Sequence, residues 1–195
     1  MRSRIKDIAT IQSGFAFRGP VITEKSGDIL VVQGGNVNAG SFGDNTDELM
    51  RINSDSIRNP IYLQQDDVLL VARGSGPGSF RSVVFTLEDS HVIASSSLLI
   101  IRVTKKNVLP KYLSIYLNSP EGHKAILKIV TGTSYIQSIL VKNLAELVIP
   151  VPFLKIQKDL IDLDENIRNQ SRLLNKKMKI NESVINTLLN NFTNS

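Results

Sequence analysis

Three glycines alternate with small residues in Arg73-Gly74-Ser75-Gly76-Pro77-Gly78-Ser79, and Arg81 follows two positions on. Glycine lets backbone N–H groups approach an anion closely, and the two guanidiniums add charge, so the segment could cradle a nucleic-acid phosphate. It is not a nucleoside-triphosphate loop. The Walker pattern needs Lys then Ser or Thr after its last glycine, where this chain has Ser79-Phe80, and the alternating glycines do not fit GxGxxG. The plain alternative is a strand-connecting turn. Gln33-Gly34-Gly35-Asn36-Val37-Asn38 offers amide side chains. An amide holds a donor and an acceptor side by side, the pattern that reads an adenine edge bidentately. Turn chemistry, with Asn capping its own backbone, explains the same residues equally well. In Thr131-Gly132-Thr133-Ser134-Tyr135-Ile136-Gln137, Gly132 is expected to close a helix as its C-cap. That leaves Ser134, Tyr135 and Gln137 in an exposed loop suited to a wet polar interface.

Catalytic constellations are poor. The chain has two histidines, His91 and His123, with no acidic or nucleophilic partner motif, and no cysteine. Thiolate metal sites, cysteine catalysis and disulfides are thereby excluded, and two distant histidines make a weak metal case. Asp66-Asp67 reads as a turn before a strand rather than an acid–base pair. No enzyme activity, cofactor or metal is expected of this chain.

The elements that must position these residues fall into two parts. Residues 1–153 are punctuated by glycines and short β-branched runs, with strands expected at Asp28–Gln33, Asp67–Ala72, Ser82–Thr86, His91–Val103 and Leu147–Val151. Ser95-Ser96-Ser97 interrupts one run, as a bulge or as inward-facing hydroxyls. Helices are expected at Pro110–Asn118 and Pro120–Val130, each opened by a proline. Regular helices do not separate the strands, so the expected class is α+β, a mixed, β-rich domain rather than a doubly wound parallel sheet.

After Pro152 the chain has no further glycine or proline. Apolar or amide residues recur at Ile156, Leu160, Leu163, Ile167, Gln170 and Leu174, then at Met178, Asn181, Ile185, Leu188 and Phe192. These are heptad steps with one stutter. Residues 154–195 are therefore expected to form one long coiled-coil helix. Its stripe cannot be buried against itself and needs a partner helix.

The 195 residues suit one domain with an accessory element. A hydrophobic share of 42% with 21% charged residues argues against intrinsic disorder. No apolar run approaches membrane-spanning length, and the charged start Met1-Arg2-Ser3-Arg4 leads into no signal-like core, so a cytoplasmic protein without membrane contact is expected. The net charge of +5 is compatible with nucleic acid without demanding it.

Taken in order, five segments resemble one half of a type I restriction-modification specificity subunit. They are Ile8–Phe17 (IATIQSGFAF), Gln33–Asn38 (QGGNVN), Asp66–Ser75 (DDVLLVARGS), Gly132-Thr133-Ser134 and Leu144–Gln157 (LAELVIPVPFLKIQ), the last being the most specific. The resemblance covers essentially the whole chain. It implies a target-recognition domain at 1–153 that binds double-stranded DNA, and a conserved helix at 154–195 for dimerisation and subunit docking. It also implies methyltransferase subunits, and possibly a restriction subunit, as the partners that carry out the chemistry. Family members usually carry the unit twice, with antiparallel helices holding two recognition domains apart, whereas this sequence has one unit and no internal repeat. The expected assembly is then a homodimer reading an interrupted palindrome. Its seam would use Ile156, Leu160, Leu163, Ile167, Leu174, Met178, Ile185 and Leu188. DNA contacts would fall on Gln33, Asn36, Asn38, Arg73, Ser75, Ser79, Arg81, Ser134, Tyr135 and Gln137. A coiled-coil adaptor whose α/β domain binds protein is the competing expectation.

Overall fold

A computed structural model describes residues 1–17, 19, 23–24, 26–38, 41–42, 49–87, 91–133 and 135–193. In chain order the elements begin with β1 (Arg2–Arg4), α1 (Ile5–Ile8), β2 (Ala9–Ser13), β3 (Ile29–Val32), β4 (Val37–Asn38), β5 (Ser41–Phe42) and β6 (Met50–Ile52). Next come β7 (Val68–Val71), β8 (Arg73–Gly74), β9 (Ser82–Val84), β10 (Val92–Ala94) and β11 (Leu98–Val103). The rest are α2 (Pro110–Asn118), α3 (Pro120–Leu127), β12 (Thr131–Gly132), β13 (Gln137–Ser138), α4 (Val141–Ala145), β14 (Val148–Pro150) and α5 (Leu154–Thr193).

The central strands are continuously apolar because both of their faces are buried. Side chains alternate across a strand, so Val68 and Leu70 of β7 join one core while Leu69 and Val71 join another. In β11, Leu99 and Ile101 divide from Leu98 and Ile100 in the same way. In β3, Leu30 and Val32 face this second core, whereas Ile29 and Val31 face a third. Three apolar layers therefore alternate with two sheets. One is the antiparallel β2-β11-β7-β9 sheet; the other is β10-β3-β6, in which only the β10–β3 pair is parallel. The α+β, mixed-sheet expectation holds.

Helix α2 is fastened to the edge strand β9 by side chains that act as a further strand would. The Asn118 amide accepts from the Ser82 N–H at 2.9 Å and donates to the Ser82 carbonyl at 2.8 Å. A buried Ser82 hydroxyl adds bonds to the Ser114 carbonyl and hydroxyl. Asp66-Asp67 forms the expected turn. Asp66 takes a φ of 70°, and fully buried Asp67 accepts from the Gln64 N–H and binds Arg102 bidentately at 2.7 and 2.8 Å. These bonds hold the Arg102 guanidinium above its ordinary range, against a smaller opposing cost of burial.

Three sequence expectations are corrected. The run His91–Val103 is two strands, because Ser95–Ser97 is neither a bulge nor a strand interior. There the chain leaves its parallel partner β3 and enters the antiparallel pairing with β7 and β2. Helix α3 ends at Leu127 rather than Val130: the chain tightens there, with Ile129 and Val130 N–H groups both returning to the Ile126 carbonyl, and Asn143 captures the Ile129 carbonyl. Gly132 consequently caps no helix. It sits in β12 at φ +117°, where an added Cβ would lie 2.2 Å from the Ile136 carbonyl oxygen.

The chain divides into two compact units, Met1–Gln157 and Lys158–Ser195. The division falls after Gln157, within the first turns of α5, because that side chain is fully buried in the first unit. Its amide accepts from the Leu109 N–H and donates to the Asn107 and Pro152 carbonyls, at 2.8–2.9 Å. The second unit is helix, continuous to Thr193 as the heptad pattern expects. Its seam residues Leu160, Leu163, Ile167, Leu174, Met178, Ile185 and Leu188 are 40–62% exposed. No described helix is long and apolar enough to cross a membrane.

Candidate nucleic-acid interface

The glycine segment connects β7 to β9, which pair as a hairpin, so the turn reading is correct for its backbone. Its tip is shaped by a short 3₁₀ turn at Pro77–Ser79 and by the Ser79 hydroxyl, which accepts from the Ser75 N–H at 3.2 Å. Gly74 is required there, since a Cβ would lie 2.0 Å from that of Ser79.

This tip forms one wall of an open cleft of about 540 Å³. Arg73, Ser79 and Arg81 line it from the hairpin, Gln33 to Gly35 from the exit of β3, and Ser95 to Ser97 from the sheet-changing turn. The Arg81 Nε donates to the Val37 carbonyl at 3.0 Å, which fixes the guanidinium, while Arg73 is exposed. The serine turn binds the opposite wall: the Gly34 N–H donates to the Ser97 hydroxyl at 3.0 Å, and the Ser95 and Ser97 hydroxyls lie 2.7 Å apart. Two cations, several hydroxyls and glycine backbone around one opening are a constellation for holding an anion or a polar edge. In the sequence the three serines read only as a strand irregularity. Their role in the cleft depends on β3 and β10 lying side by side.

The amide segment is drawn into turn chemistry. Gln33 and Asn36 form a reciprocal cap, each side chain accepting from the other's backbone N–H, and Gln33 Nε2 also donates to Met50 Sδ at 2.9 Å. Asn38 is exposed in β4, outside the cleft lining. Ser75 is exposed on the glycine loop, and Ser134 lies outside the described residues. Gln137 is in a strand rather than a free loop: β13 pairs with β8, Gln137 opposite Gly74 and Ser138 opposite Arg73. That pairing brings the β12–β13 hairpin to the glycine loop, with Tyr135 at its tip 85% exposed. The Gln137 Oε1 is buried without a hydrogen-bond partner. The two histidines lie in separate parts of the first unit. His91 packs edge-on against Tyr62, and the His123 N–H continues helix α3 from Ser119.

The described fold is shared with solved proteins. One is the S subunit of a type I restriction-modification system from M. genitalium, at 16% identity and a TM-score of 0.55, covering 89% of this chain and 41% of that one. Another comes from work on complex assembly and conformational transition of the type I R-M system, at 17% identity and 0.67, covering 96% and 43%. A third is the HsdS subunit from Thermoanaerobacter tengcongensis, at 16% identity and 0.64, covering 90% and 44%. The chain thus spans less than half the length of these relatives. No curated protein matches it. The family model for the type I restriction modification DNA specificity domain matches residues 1–183, from the first strand through most of the long helix. With that match running through the cleft walls, the junction and the seam, the chain belongs to the family of type I restriction-modification DNA specificity domains.

Proposed function

We propose that this protein reads DNA sequence for a type I restriction-modification complex, as a homodimer on an interrupted palindrome, and performs no chemistry itself. The observation that carries the reading is the cleft where Arg73 and Arg81 meet the serine turn and the glycine backbone, within a chain of this family. Arg73 and Arg81 contact phosphates, and Ser75, Ser79 and Ser134 are further DNA contacts. Asn38, Tyr135 and Gln137 are the base readers, while Gln33 and Asn36 hold their loop in shape and meet DNA through its outer edge. Residues 1–153 form the recognition domain; residues 154–195 pair with a second copy and dock methyltransferase subunits and, where present, a restriction subunit. The cytoplasm, where the DNA is, is the corresponding compartment.

The helix supports the dimer. Forty residues of helix span about 60 Å at 1.5 Å per residue, enough to separate two recognition domains along one duplex. Binding of the purified protein to duplex DNA over a salt series tests the reading. Phosphate contacts release counterions, so affinity should fall linearly on logarithmic axes as salt rises. Binding that is absent, or insensitive to salt, would remove DNA and favour a protein-binding adaptor. A methylated motif without two-fold symmetry in the source DNA would replace the homodimer with a pairing of two different half-subunits.

A further inference from the structure

Two segments of the first unit are free of carboxylates. Residues 68–87 carry the glycine loop and residues 122–145 carry the β12–β13 hairpin. Together they hold five cationic side chains, Arg73, Arg81, Lys124, Lys128 and Lys142, and no Asp or Glu. The rest of residues 1–153 holds eleven Lys and Arg against thirteen Asp and Glu, so the positive excess of that part resides in these two segments. Strands β8 and β13 bring them side by side. The hairpin tip presents Tyr135, 85% exposed, and Ile136, 69% exposed. We infer that Tyr135, with its neighbour Ile136, is a wedge that enters between two base pairs of duplex DNA and unstacks that step. The inference rests on the DNA reading proposed above and gives Tyr135 its mode: the ring is used and the hydroxyl is not.

The hairpin is built to hold such a wedge. The Thr133 N–H donates to the Ile136 carbonyl at 3.0 Å, and the Thr133 hydroxyl accepts from the Ile136 N–H at 3.3 Å. Gly132 at φ +117° lets the chain close this tightly, and the Thr131 hydroxyl donates to the Ser138 carbonyl at 3.2 Å. A tip fixed by its own backbone loses little freedom on binding. The Ile139 N–H donates to the Ala72 carbonyl at 2.8 Å and extends the tie to the glycine-loop hairpin. Because β13 is antiparallel to β8, the chain from Ser138 back to Tyr135 runs in the direction that the glycine loop takes from Arg73 to Gly76. The two tips therefore project the same way. Tyr135 stands up to about 10 Å beyond Ser138, the residue level with Arg73, at roughly 3.3 Å per residue. With Arg73 on a phosphate, that reach matches the roughly 7.5–8.5 Å depth of a DNA groove. Five cations without a carboxylate suit a phosphate backbone rather than the mixed charges of an ordinary protein surface. Architectural DNA binders use apolar side chains in this way, partially unstacking a step and kinking the duplex. Unstacking is cheapest at pyrimidine–purine steps, so the wedge selects such a step without hydrogen bonds.

The test uses the full chain and duplexes carrying the motif methylated in the source DNA, with 2-aminopurine placed at each position in turn. This base brightens when it is unstacked. Binding should raise its emission several-fold at a pyrimidine–purine step and leave the other positions dark. Tyr135→Ala should abolish the rise and weaken binding roughly tenfold, within the range for a lost base stack. Its salt slope should match that of the parent protein, because no phosphate contact is lost. Tyr135→Phe should keep both the rise and the affinity. Tyr135 lies outside the apolar cores, so neither variant should disturb folding. No rise at any position, with binding intact, overturns the wedge and leaves DNA reading standing. So does a Tyr135→Phe protein that binds as weakly as Tyr135→Ala, which would make the hydroxyl a hydrogen-bonding base reader. A Tyr135→Ala protein that binds and unstacks as the parent does also overturns the wedge and frees the tip for a protein partner. Failure of the parent protein to bind any of the duplexes overturns the DNA reading itself, and the wedge with it.

Discussion

Leu69 and Leu163 are the same side chain in opposite circumstances. Leu69 is fully buried between two sheets, among the apolar faces of β3, β9, β10 and β11. Leu163 stands 57% exposed on a helix whose own unit offers it nothing to pack against. Burying such a residue is worth roughly 1.5–3 kcal/mol. The first unit has gained that within one chain; the second gains it only from a partner. The polar groups follow the same division. In the first unit Ser82, Asn118, Asp67 and Gln157 use their hydrogen bonds to join elements, whereas the helix has its within-turn Arg168–Asp164 pair and leaves most charges on its surface. The two halves should therefore fail independently, one by unfolding and the other by dissociating.

The largest effect should come from charging the seam. Ile167→Glu with Leu174→Glu should abolish association and reduce DNA binding to weak half-site binding. The melting of the first unit should be unchanged, as seen by sedimentation and calorimetry on the same sample. Loss of that melting transition would mean that the two halves are not independent. Phe85→Ala should do the reverse, costing the first unit about 3–5 kcal/mol because the ring is fully buried. Denaturant titration checks it. Gln157→Leu acts at the boundary. It strands the Leu109 N–H and the Asn107 and Pro152 carbonyls and should cost ~2–3 kcal/mol. Hydrogen exchange should locate the loss at the first turn of α5, and unchanged protection there would make the junction ordinary surface.

Smaller effects belong to the cleft and the surface. Arg73→Ala with Arg81→Ala should weaken binding equally across DNA sequences and flatten the salt slope by about one for each phosphate no longer held. Unaltered affinity would remove the glycine loop from the interface. The smallest effect concerns Glu146. The hydrogen bond from Lys6 holds its carboxyl below the ordinary 4.5, against some desolvation, with the charges of Lys6 and Arg4 adding to the shift. A carboxyl lowered in the folded state adds stability above its unfolded value and loses it as pH falls through the lowered one. The difference in Tm between the protein and Glu146→Gln should thus be constant from neutral pH down to about pH 5 and shrink below that. A gap that widens in acid would reverse the sign.

The elements legible in the sequence are those whose cause is local. Helix α2 runs from Pro110 to Asn118 as its opening proline and periodicity indicate, and α5 follows forty residues without a breaker. The runs around Leu30, Leu69 and Leu99 are strands because nothing else absorbs so many adjacent apolar residues. The lack of thiols could be read without any fold. The elements that escaped have causes elsewhere in the chain. Arg2-Ser3-Arg4 has no strand-like composition and becomes β1 only because β14 lies beside it, with Tyr112 bonding the Pro150 carbonyl. Ser95–Ser97 looks like a fault in one strand until two sheets are present, and only their separation turns it into the floor of a cleft. Gly132 resembles a helix cap in sequence, yet it serves a hairpin that pairs with β8 about sixty residues earlier. Sequence by itself thus determined which residues are apolar, where helices begin, and where the seam of α5 runs. Tertiary structure decided which polar residues meet, because a hydrogen bond or a cleft wall requires two segments whose proximity is set by burying the apolar residues between them.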